Sequence, residues 1–493
     1  MADISVTQIP LHPSAPPAPV RPLCVDLDGT LVKSDTLMDS LMVLARTQPL
    51  ALLQLPRWLI RGKAAVKAEV GRRVSLDVPH LPYNRKLLEF LASEHGDGRR
   101  LYLATGADQT LATRVADHLK IFDGVLASDG QTNLTATNKL DGLRRTFGEQ
   151  GYDYIGNAGP DLPLLQHAGT AMLANPSPRL RSRLKSRGII IEREFREGRP
   201  FPAALNKALR LHQWAKNILI FLPVLLAHNL RMPVLTAAVI AFVSFSLCAS
   251  STYIVNDLLD IEADRRHPRK QHRPFAAGDL SVKAGVLLSA VLLGAALVLA
   301  VLALPLTFLF WLLLYLVTTL SYSLYLKRVV LVDVILLSGL YTLRMLAGSA
   351  ATHVPISPWL GALSLFFFLS LAIVKRFSEL QYARARGQKL ANGRGYLLAD
   401  IEQLRTFGTA SAFAAVLVFS FYIGLGGQDV LGLYHHPGRL WLITPLMAYW
   451  IMRVWLLASR GDLDEDPVIF AVTDRTSLVI GLAVAAIAAL AAL

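Results

Sequence analysis

Two groups of acids in this 493-residue sequence have spacings suited to phosphate chemistry. The first lies in Asn256-Asp257-Leu-Leu-Asp260-Ile-Glu-Ala-Asp264. At about 100° per residue, Asn256, Asp257, Asp260 and Asp264 fall within roughly 100° of arc on one helix face, and Tyr253 shares that arc. Three carboxylates on one face repel each other and need a counter-charge. Mg²⁺, a hard cation held by carboxylates, waters and substrate phosphates, suits them. Ordinary surface acids at a solvated helix end would scatter. Arg265, Arg266, Lys270 and Arg273 follow at once, where they could clamp the phosphate oxygens that a metal leaves uncovered. The plainer reading of that run is a basic loop at lipid headgroups. Acids for a metal beside bases for phosphate meet the needs of a diphosphate leaving group.

The second group is Cys24-Val-Asp26-Leu-Asp28-Gly29-Thr30. An apolar strand ending in two acids puts both carboxylates at the strand's C-terminal edge, where open α/β sheets bind ligands. Asp26 can attack a phosphorus atom and Asp28 can protonate the leaving oxygen. Calcium loops also contain Asp-x-Asp, but here Gly29 follows the second acid directly, so the full loop is absent.

The elements that must carry these residues belong to two halves. Apolar residues make up 53% of the chain and charged residues 17%, against about 25% charged in soluble domains. The deficit is concentrated in residues 204–493. Nine apolar stretches lie there, near 214–230, 234–256, 283–302, 305–325, 329–350, 357–374, 409–427, 438–458 and 475–493, several with the ~20 residues a membrane span needs. Lys and Arg crowd the loops after the even-numbered stretches, while the opposite loops hold Arg231, Arg439 and little else. By the positive-inside rule the charged loops and the N-terminal half face the cytoplasm and the C-terminus faces the other side. The net charge of +14 then reflects these loops and not nucleic-acid binding. The expected location is an inner or plasma membrane, crossed many times, and self-association is left open.

Residues 1–20 read as a proline-bearing disordered lead without the pattern of a signal peptide. Residues 21–200 read as a soluble Rossmann-like α/β domain, with strand-like runs at Leu23–Asp26, Leu101–Thr105 and Tyr152–Gly156 and a helical cap at about 33–95. The apolar part of segment 50–70 is too short to span a bilayer and reads as an insertion packed over the α/β core. Cys24 and Cys248 fall in a strand and an apolar helix, which disfavours a disulfide.

More polar groups lie at one depth of the membrane half. Lys216 and Asn217 precede the first stretch, and Tyr322 and Lys327 end the fourth. Asp333 and Arg344 lie in the fifth, nearly in line on one face, and Lys375 and Arg376 end the sixth. Ionised groups in spans usually face the bundle interior and mark substrate paths. Asp333 also reads as a helix-start residue, and Lys375 with Glu379 as an i,i+4 surface pair.

The Asn-Asp-x-x-Asp-x-x-x-Asp pattern, the nine-helix all-α transmembrane bundle and the polar cytoplasmic loops resemble the UbiA prenyltransferase superfamily over about 205–493. The strings QWAKN, NDLLDIEADRRHPRKQHRPFAAGDLS, YSLYLKR and KRFSEL look like its decaprenyl-phosphate phosphoribosyltransferase branch. That resemblance implies that Asp257, Asp260 and Asp264, assisted by Asn256, hold Mg²⁺. It implies a phosphoribosyl diphosphate donor, a polyprenyl phosphate acceptor and release of pyrophosphate. KRFSEL stands where many members carry a second Asp-rich motif, which disfavours ordinary aromatic prenyl transfer. Transfer of a polyprenyl group from its diphosphate to an aromatic acceptor is the alternative, and a non-enzymatic transporter or lipid scaffold is a third reading.

The segment around Asp26 resembles the haloacid dehalogenase (HAD) superfamily of phosphatases over about 20–180. LYLATG, ending near Thr105, Lys139 before LDGLRRTFG, and YIGNAGPD match in order. The resemblance gives Thr105 a phosphate contact, Lys139 the role of the family's basic residue, and a Mg²⁺ site to Asp26, Asp28, Asn157 and Asp161. Asn157 stands where the family commonly has Asp. The fusion points to one pathway, in which the soluble domain removes the 5-phosphate from the lipid-linked phosphoribose.

Overall fold

The computed structural model describes residues 20–128, 134–385, 387, 394–427, 430, 432–463 and 467–493; the proline-bearing lead, as far as residue 19, lies outside them. The chain divides into two compact units. One comprises residues 1–200 and 260–282, the other residues 201–259 and 283–493.

The first unit is built on a six-stranded sheet. Its strands are β1 (Leu23–Val25), β2 (Leu101–Asp108), β3 (Gly124–Ser128), β4 (Asp153–Gly156), β5 (Ala171–Ala174) and β6 (Ile191–Phe195). All pairs are parallel, in the order β3-β2-β1-β4-β5-β6. A parallel sheet is covered on both faces, so its inner strands are apolar on both sides. β1 shows this in three residues. Leu23 and Val25 enter a core with Leu103 and Ile155, while Cys24 enters the opposite core with Ala104, Tyr154 and Leu173. The order reverses direction between β1 and β4, so their carboxyl ends flank the switch point where doubly wound sheets bind ligands.

The crossover from β1 to β2 is helical: α1 (Thr36–Thr47), α2 (Leu55–Ile60), α3 (Lys63–Arg73) and α4 (Arg85–Gly96). Asp35 caps α1 by accepting from the Met38 amide, and Asn84 caps α4 by accepting from Leu87, each satisfying a donor that a helix start leaves open. Trp58, Val66 and Val70 join the core that holds Leu23. The segment before α3 packs on one side only, since Leu50, Leu53, Leu59 and Ile60 stay exposed. Beyond β2 come α5 (Gln109–Leu119) and α6 (Thr137–Phe147).

Residues 260–282 fold as part of this unit. Phe275, Ala276 and Leu280 are buried. Gly278 has φ of +74°, and a Cβ there would lie 3.2 Å from the Lys33 carbonyl carbon, so both the conformation and the space require glycine.

The second unit is all helical. Among the described residues, eight helices are long and apolar enough to cross a membrane: Met232–Leu259, Val282–Ala303, Leu306–Leu324, Val332–Thr352, Pro358–Ala385, Leu398–Leu425, Pro437–Arg460 and Arg475–Ala492. The chain is thus a multi-pass membrane protein. Nine such helices were expected, and the difference is the first stretch. Residues 214–230 do not form one long α-helix. They lie in a 3-10 helix, Leu211–Phe221, followed by a short α-helix, Leu222–Leu226. Pro223 has no N–H to return to the preceding turn, and the buried polar groups of Lys216 and Asn217 must find partners away from lipid. This broken segment lies against the Val332–Thr352 helix, where a Cβ at Gly348 would come within 3.0 Å of the Ile220 Cα. Small residues permit such close helix approach in membranes. Cys24 and Cys248 are both buried free thiols.

Candidate functional site

In the first unit the chemistry-bearing side chains collect at the C-terminal ends of β1 and β4. Asp26 follows β1 directly, and its backbone amide donates to the Ile155 carbonyl of β4 at 3.1 Å. Its carboxylate is buried. Oδ1 accepts from Lys139 Nζ at 2.7 Å and Oδ2 from Thr30 Oγ1 at 3.4 Å. Lys139, carried on α6, also donates to the Tyr154 hydroxyl at 3.1 Å and lies 3.8 Å from Asp161. Tyr154 in turn donates to Asp161 Oδ1 at 3.0 Å, while Asp161 Oδ2 accepts from the Asn157 and Ala158 amides, both at 3.0 Å. The loop after β4 thereby wraps around one carboxylate. Asn157 lies against Gly29, where a Cβ would collide with its amide; Gly29 has φ of +78°. Asp28 Oδ1 accepts from the Thr36 amide at 2.8 Å. Thr105 is fully buried in β2, and its Oγ1 accepts from the Ala107 amide at 3.0 Å.

Burial pushes the Asp26 carboxyl up to about 7, against the opposing pull of Lys139. Burial and the neighbouring Asp35 push Asp28 up to about 6, against the Thr36 hydrogen bond. Burial pulls the Lys139 ammonium down, but Asp26 and Asp161 outweigh it and its proton is held more tightly than usual. Two carboxyls poised near neutrality beside a fixed cation are the equipment of a nucleophile and an acid. Next to Asp28 opens a cavity of about 170 Å³, walled by Leu37, Val70 and Leu111 and edged by Lys67, Asp108 and Arg114. Lys67 donates to the Gly106 carbonyl.

In the second unit, Asn256 and Asp257 sit near the end of the Met232–Leu259 helix. Asp257 is buried and pairs with Arg210, whose guanidinium lies 5.2 Å from the Tyr253 ring centre. Asn217 donates to Ser246 Oγ at 2.8 Å and accepts from Arg344 Nε at 2.9 Å. Arg344 is caged by the rings of Phe245, Tyr315 and Tyr341 at 5.5, 5.2 and 5.5 Å. Lys216 lies 5.9 Å from the Tyr341 ring. A second cluster is separate in its bonding. Arg376 pairs with Asp333 at 2.5 Å and with Glu379 at 2.7 Å, and donates to Tyr322 OH at 2.9 Å. Tyr396 donates to the same Asp333. Glu379 therefore bonds Arg376, its i−3 neighbour. Lys375 is half-buried beside them, and Lys327 lies in the 3-10 turn Leu326–Arg328.

The Asp-rich motif differs from the single helix face expected. The Met232–Leu259 helix ends before Asp260, which has φ −93° and ψ 8° and caps a new short helix, Ile261–Arg266. Each acid carries its own arginine: Asp257 has Arg210, Asp260 has Arg46 at 2.7 Å, and Asp264 has Arg273 at 2.7 Å. The run expected to clamp phosphate is likewise engaged. Arg265 is buried, pairs with Asp39 at 2.8 Å and donates to the Ala276 carbonyl at 3.1 Å. Arg266 pairs with Asp77. Lys270 lies in the 3-10 turn Lys270–His272.

Among the described residues no three His, Cys, Asp or Glu side chains form a metal cluster. Mg²⁺ does not require one, since it commonly takes one or two carboxylates together with substrate phosphates and waters. The donors present fit that demand. In the first unit Asp26, Asp28 and the Asn157 amide oxygen are hard ligands close to one loop, while Asp161 is fully engaged by its own donors. In the motif the carboxylates are already charge-balanced by guanidinium groups, which a cation could replace. Arg210, Tyr154, Lys67 and Asp39 were not singled out by sequence reading. Tyr154 begins a motif that was recognised, but its hydroxyl role appears only once α6 is placed beside it.

Comparison with known proteins bears on the whole chain. The profile of the UbiA prenyltransferase family matches residues 218–478. An uncharacterized protein of Sinorhizobium fredii, y4nM, is 38% identical over 469 residues, covering 94% of this chain and 90% of that one. The nodulation protein NoeC of Azorhizobium caulinodans is 34% identical over 282 residues, or 55% of this chain and 88% of that one. The decaprenyl-phosphate phosphoribosyltransferase of Mycobacterium tuberculosis is 35% identical over 230 residues, or 45% of this chain and 74% of that one. With a family match across more than half its length, set on a multi-helix membrane unit that buries Asp257 of the Asn-Asp-x-x-Asp motif, the chain belongs to the UbiA prenyltransferase family.

Proposed function

We propose that the chain moves a phosphoribosyl group from phosphoribosyl diphosphate to a polyprenyl phosphate, releasing pyrophosphate, and that its α/β unit is a HAD-type phosphatase that removes the 5-phosphate from the product. The observation that carries the reading is Asp257, buried with Arg210 at the end of a membrane helix. It lies in a chain 35% identical over 230 residues to a decaprenyl-phosphate phosphoribosyltransferase. When bound through Asp26 and Asp28, or through Asp257 with Asn256, Mg²⁺ supplies positive charge to neutralise phosphate oxygens.

The protein's own groups do the rest. In the membrane unit, Arg210 holds the Asp257 carboxylate in place, and Lys216 and Arg344 present fixed positive charge among aromatic faces. Positive charge of this kind stabilises a departing diphosphate. The acceptor phosphate is already anionic and attacks the ribose C1 without a strong base. In the α/β unit, Asp26 attacks phosphorus while Lys139 holds its other oxygen at 2.7 Å. Asp28, with a carboxyl raised to about 6, delivers a proton to the leaving alcohol and then takes one from the attacking water. On this reading each active site faces the cytoplasm at an inner or plasma membrane, which the Lys- and Arg-rich loops after the even-numbered apolar stretches support.

Full-length protein in detergent would be given labelled phosphoribosyl diphosphate, a polyprenyl phosphate and Mg²⁺. Pyrophosphate release with labelled lipid, lost in Asp257→Asn, is expected. Asp26→Asn should make the lipid product accumulate with its 5-phosphate in place. Pyrophosphate released only from a prenyl diphosphate with an aromatic acceptor would replace this reading with prenyl transfer.

A further inference from the structure

The segment between α1 and α3 is apolar where it faces out. Leu50 and Leu53 are each 78% exposed, Leu59 57% and Ile60 88%. Four large aliphatic side chains in eleven residues, all turned to solvent, exceed the scattered exposure normal for a soluble surface. The buried side of the same segment is anchored. Trp58 sits in the core under the Arg73 guanidinium, 4.8 Å from its ring centre, so the exposed residues are held outward by packing. From residue 40 to residue 68 the sequence contains Arg46, Arg57, Arg61, Lys63 and Lys67 and no acid. Arg46 is turned to Asp260 at 2.7 Å and Lys67 to the Gly106 carbonyl, whereas the Arg61 side chain is 60% exposed although it reaches Glu69 at 3.5 Å. An aliphatic face flanked by Arg57, Arg61 and Lys63 matches an anionic lipid leaflet, where aliphatic groups enter the acyl boundary and Lys and Arg meet the headgroups. The same chain continues into membrane helices, so the α/β unit is tethered to a bilayer at high effective concentration.

We propose that residues 49–63 are a membrane-surface tab that seats the α/β unit on an anionic leaflet and brings its phosphatase site to lipid-linked substrate. The tab leads directly into α3, whose Lys67, Val70 and Gly71 line the cavity beside Asp28. A polyprenyl phosphosugar has its hydrolysable end at the headgroup level and its tail in the acyl layer. A site entered from beside a lipid-seated segment meets that end without extracting the tail, which would expose many apolar carbons to water. The statement about substrate rests on the phosphatase reading above; the statement about lipid contact does not.

The test uses the full chain. Cys24 and Cys248 are buried, so Leu53→Cys can be labelled with an environment-sensitive fluorophore, with Glu149→Cys as an exposed control. Protein is reconstituted in phosphatidylcholine vesicles with and without phosphatidylglycerol. The expected result is a blue-shifted Leu53→Cys probe quenched by lipid-borne quenchers, more strongly with phosphatidylglycerol, and an unshifted control. An unquenched probe overturns the proposal, whether it is unshifted, shifted only as protein concentration rises (a second copy on the patch), or shifted equally in detergent. In the same vesicles, Leu50→Ser with Leu53→Ser, Leu59→Ser and Ile60→Ser should raise KM for a lipid-linked phosphosugar about tenfold or more. Turnover of p-nitrophenyl phosphate should stay within about twofold of the parent. If the parent hydrolyses neither substrate, the phosphatase reading fails and the quenching alone decides the tab.

Discussion

Arg265 and Asp39 form an ion pair of 2.8 Å with both side chains almost wholly buried, and Ser34 joins it. Ser34 Oγ donates to Asp39 at 2.6 Å and accepts from Arg265 at 3.1 Å. The Ser34 carbonyl accepts from the Gly29 amide at 3.1 Å, so the pair is bonded through Ser34 to the loop that carries Asp28. Removing one member of a buried pair leaves a charge without compensation, at a cost of about 3–5 kcal/mol, whereas replacing both with apolar residues is often neutral. Arg265→Met should therefore speed hydrogen exchange at amides 28–40, and Arg265→Met with Asp39→Leu should restore protection. Equal protection in the parent and the single variant would show that the pair does not hold the loop.

The Asp26 carboxyl is raised from 3.8 to about 7 and that of Asp28 from 3.8 to about 6. An acid whose folded value lies above its unfolded value binds its proton more tightly when folded. Its stabilising contribution is complete below about pH 4 and is lost as pH rises through the folded value. Metal-free protein should thus lose stability of the α/β unit between about pH 4 and 7. Asp26→Asn and Asp28→Asn should each flatten that slope, and added Mg²⁺ should recover stability at pH 8. Chemical denaturation followed by hydrogen exchange in the α/β unit measures all three.

Asn157 packs its amide against Gly29 beside Asp26 and Asp28. Asn157→Asp adds a further carboxylate beside Asp26 and Asp28 without changing the shape of its loop. The Mg²⁺ concentration giving half-maximal phosphate release should fall about tenfold, since each full charge near a bound cation is worth on the order of 1 kcal/mol or more. Without metal, the variant should be less stable above pH 7 because the acids repel. Calorimetric titration with Mg²⁺ separates the two effects.

Asp257 and Arg210 are predicted to act as a unit in the membrane domain. Asp257→Asn should lower pyrophosphate release by about a hundredfold or more, in line with loss of a positioned charged group at a transition state. Arg210→Met leaves Asp257 buried without its partner, so it should lower both detergent-solubilised yield and activity. Steady-state assays, with size-exclusion profiles to score folding, distinguish the two.

Local features were readable from the sequence. The acids at the end of β1, the loop Gly156–Asp161 and eight apolar helices follow from strand-edge chemistry and span length, which depend on near neighbours. What escaped reading depends on distant ones. Nothing near Asp260 announces that Arg46 will meet it, and nothing near Arg265 announces Asp39. A basic run next to acids resembles a phosphate clamp in one dimension, whereas in three dimensions Arg265 serves the core of another part of the chain. The break at Asp260 is hidden for a related reason. Helix periodicity continues through Ile261–Arg266, and only tertiary bonding interrupts it. The first apolar stretch, 214–230, is not one long helix, because hydropathy measures composition and ignores that Lys216 and Asn217 need partners that a continuous lipid-facing helix would deny them.

Gly348 lies far along the chain from every acidic motif, yet its missing side chain sets a distance. The backbone of Ile220 fills the space that a methyl group would take, three and four residues beyond Asn217 and Lys216. Residue 348 therefore works as a spacer gauge. One added carbon would act as a wedge, tilting the 3-10 segment and withdrawing the amide that braces Arg344. A substitution scan should find this position as intolerant as the charged residues, with Gly348→Ala already lowering transferase activity while Gly339→Ala, which meets open space on the same helix, is silent.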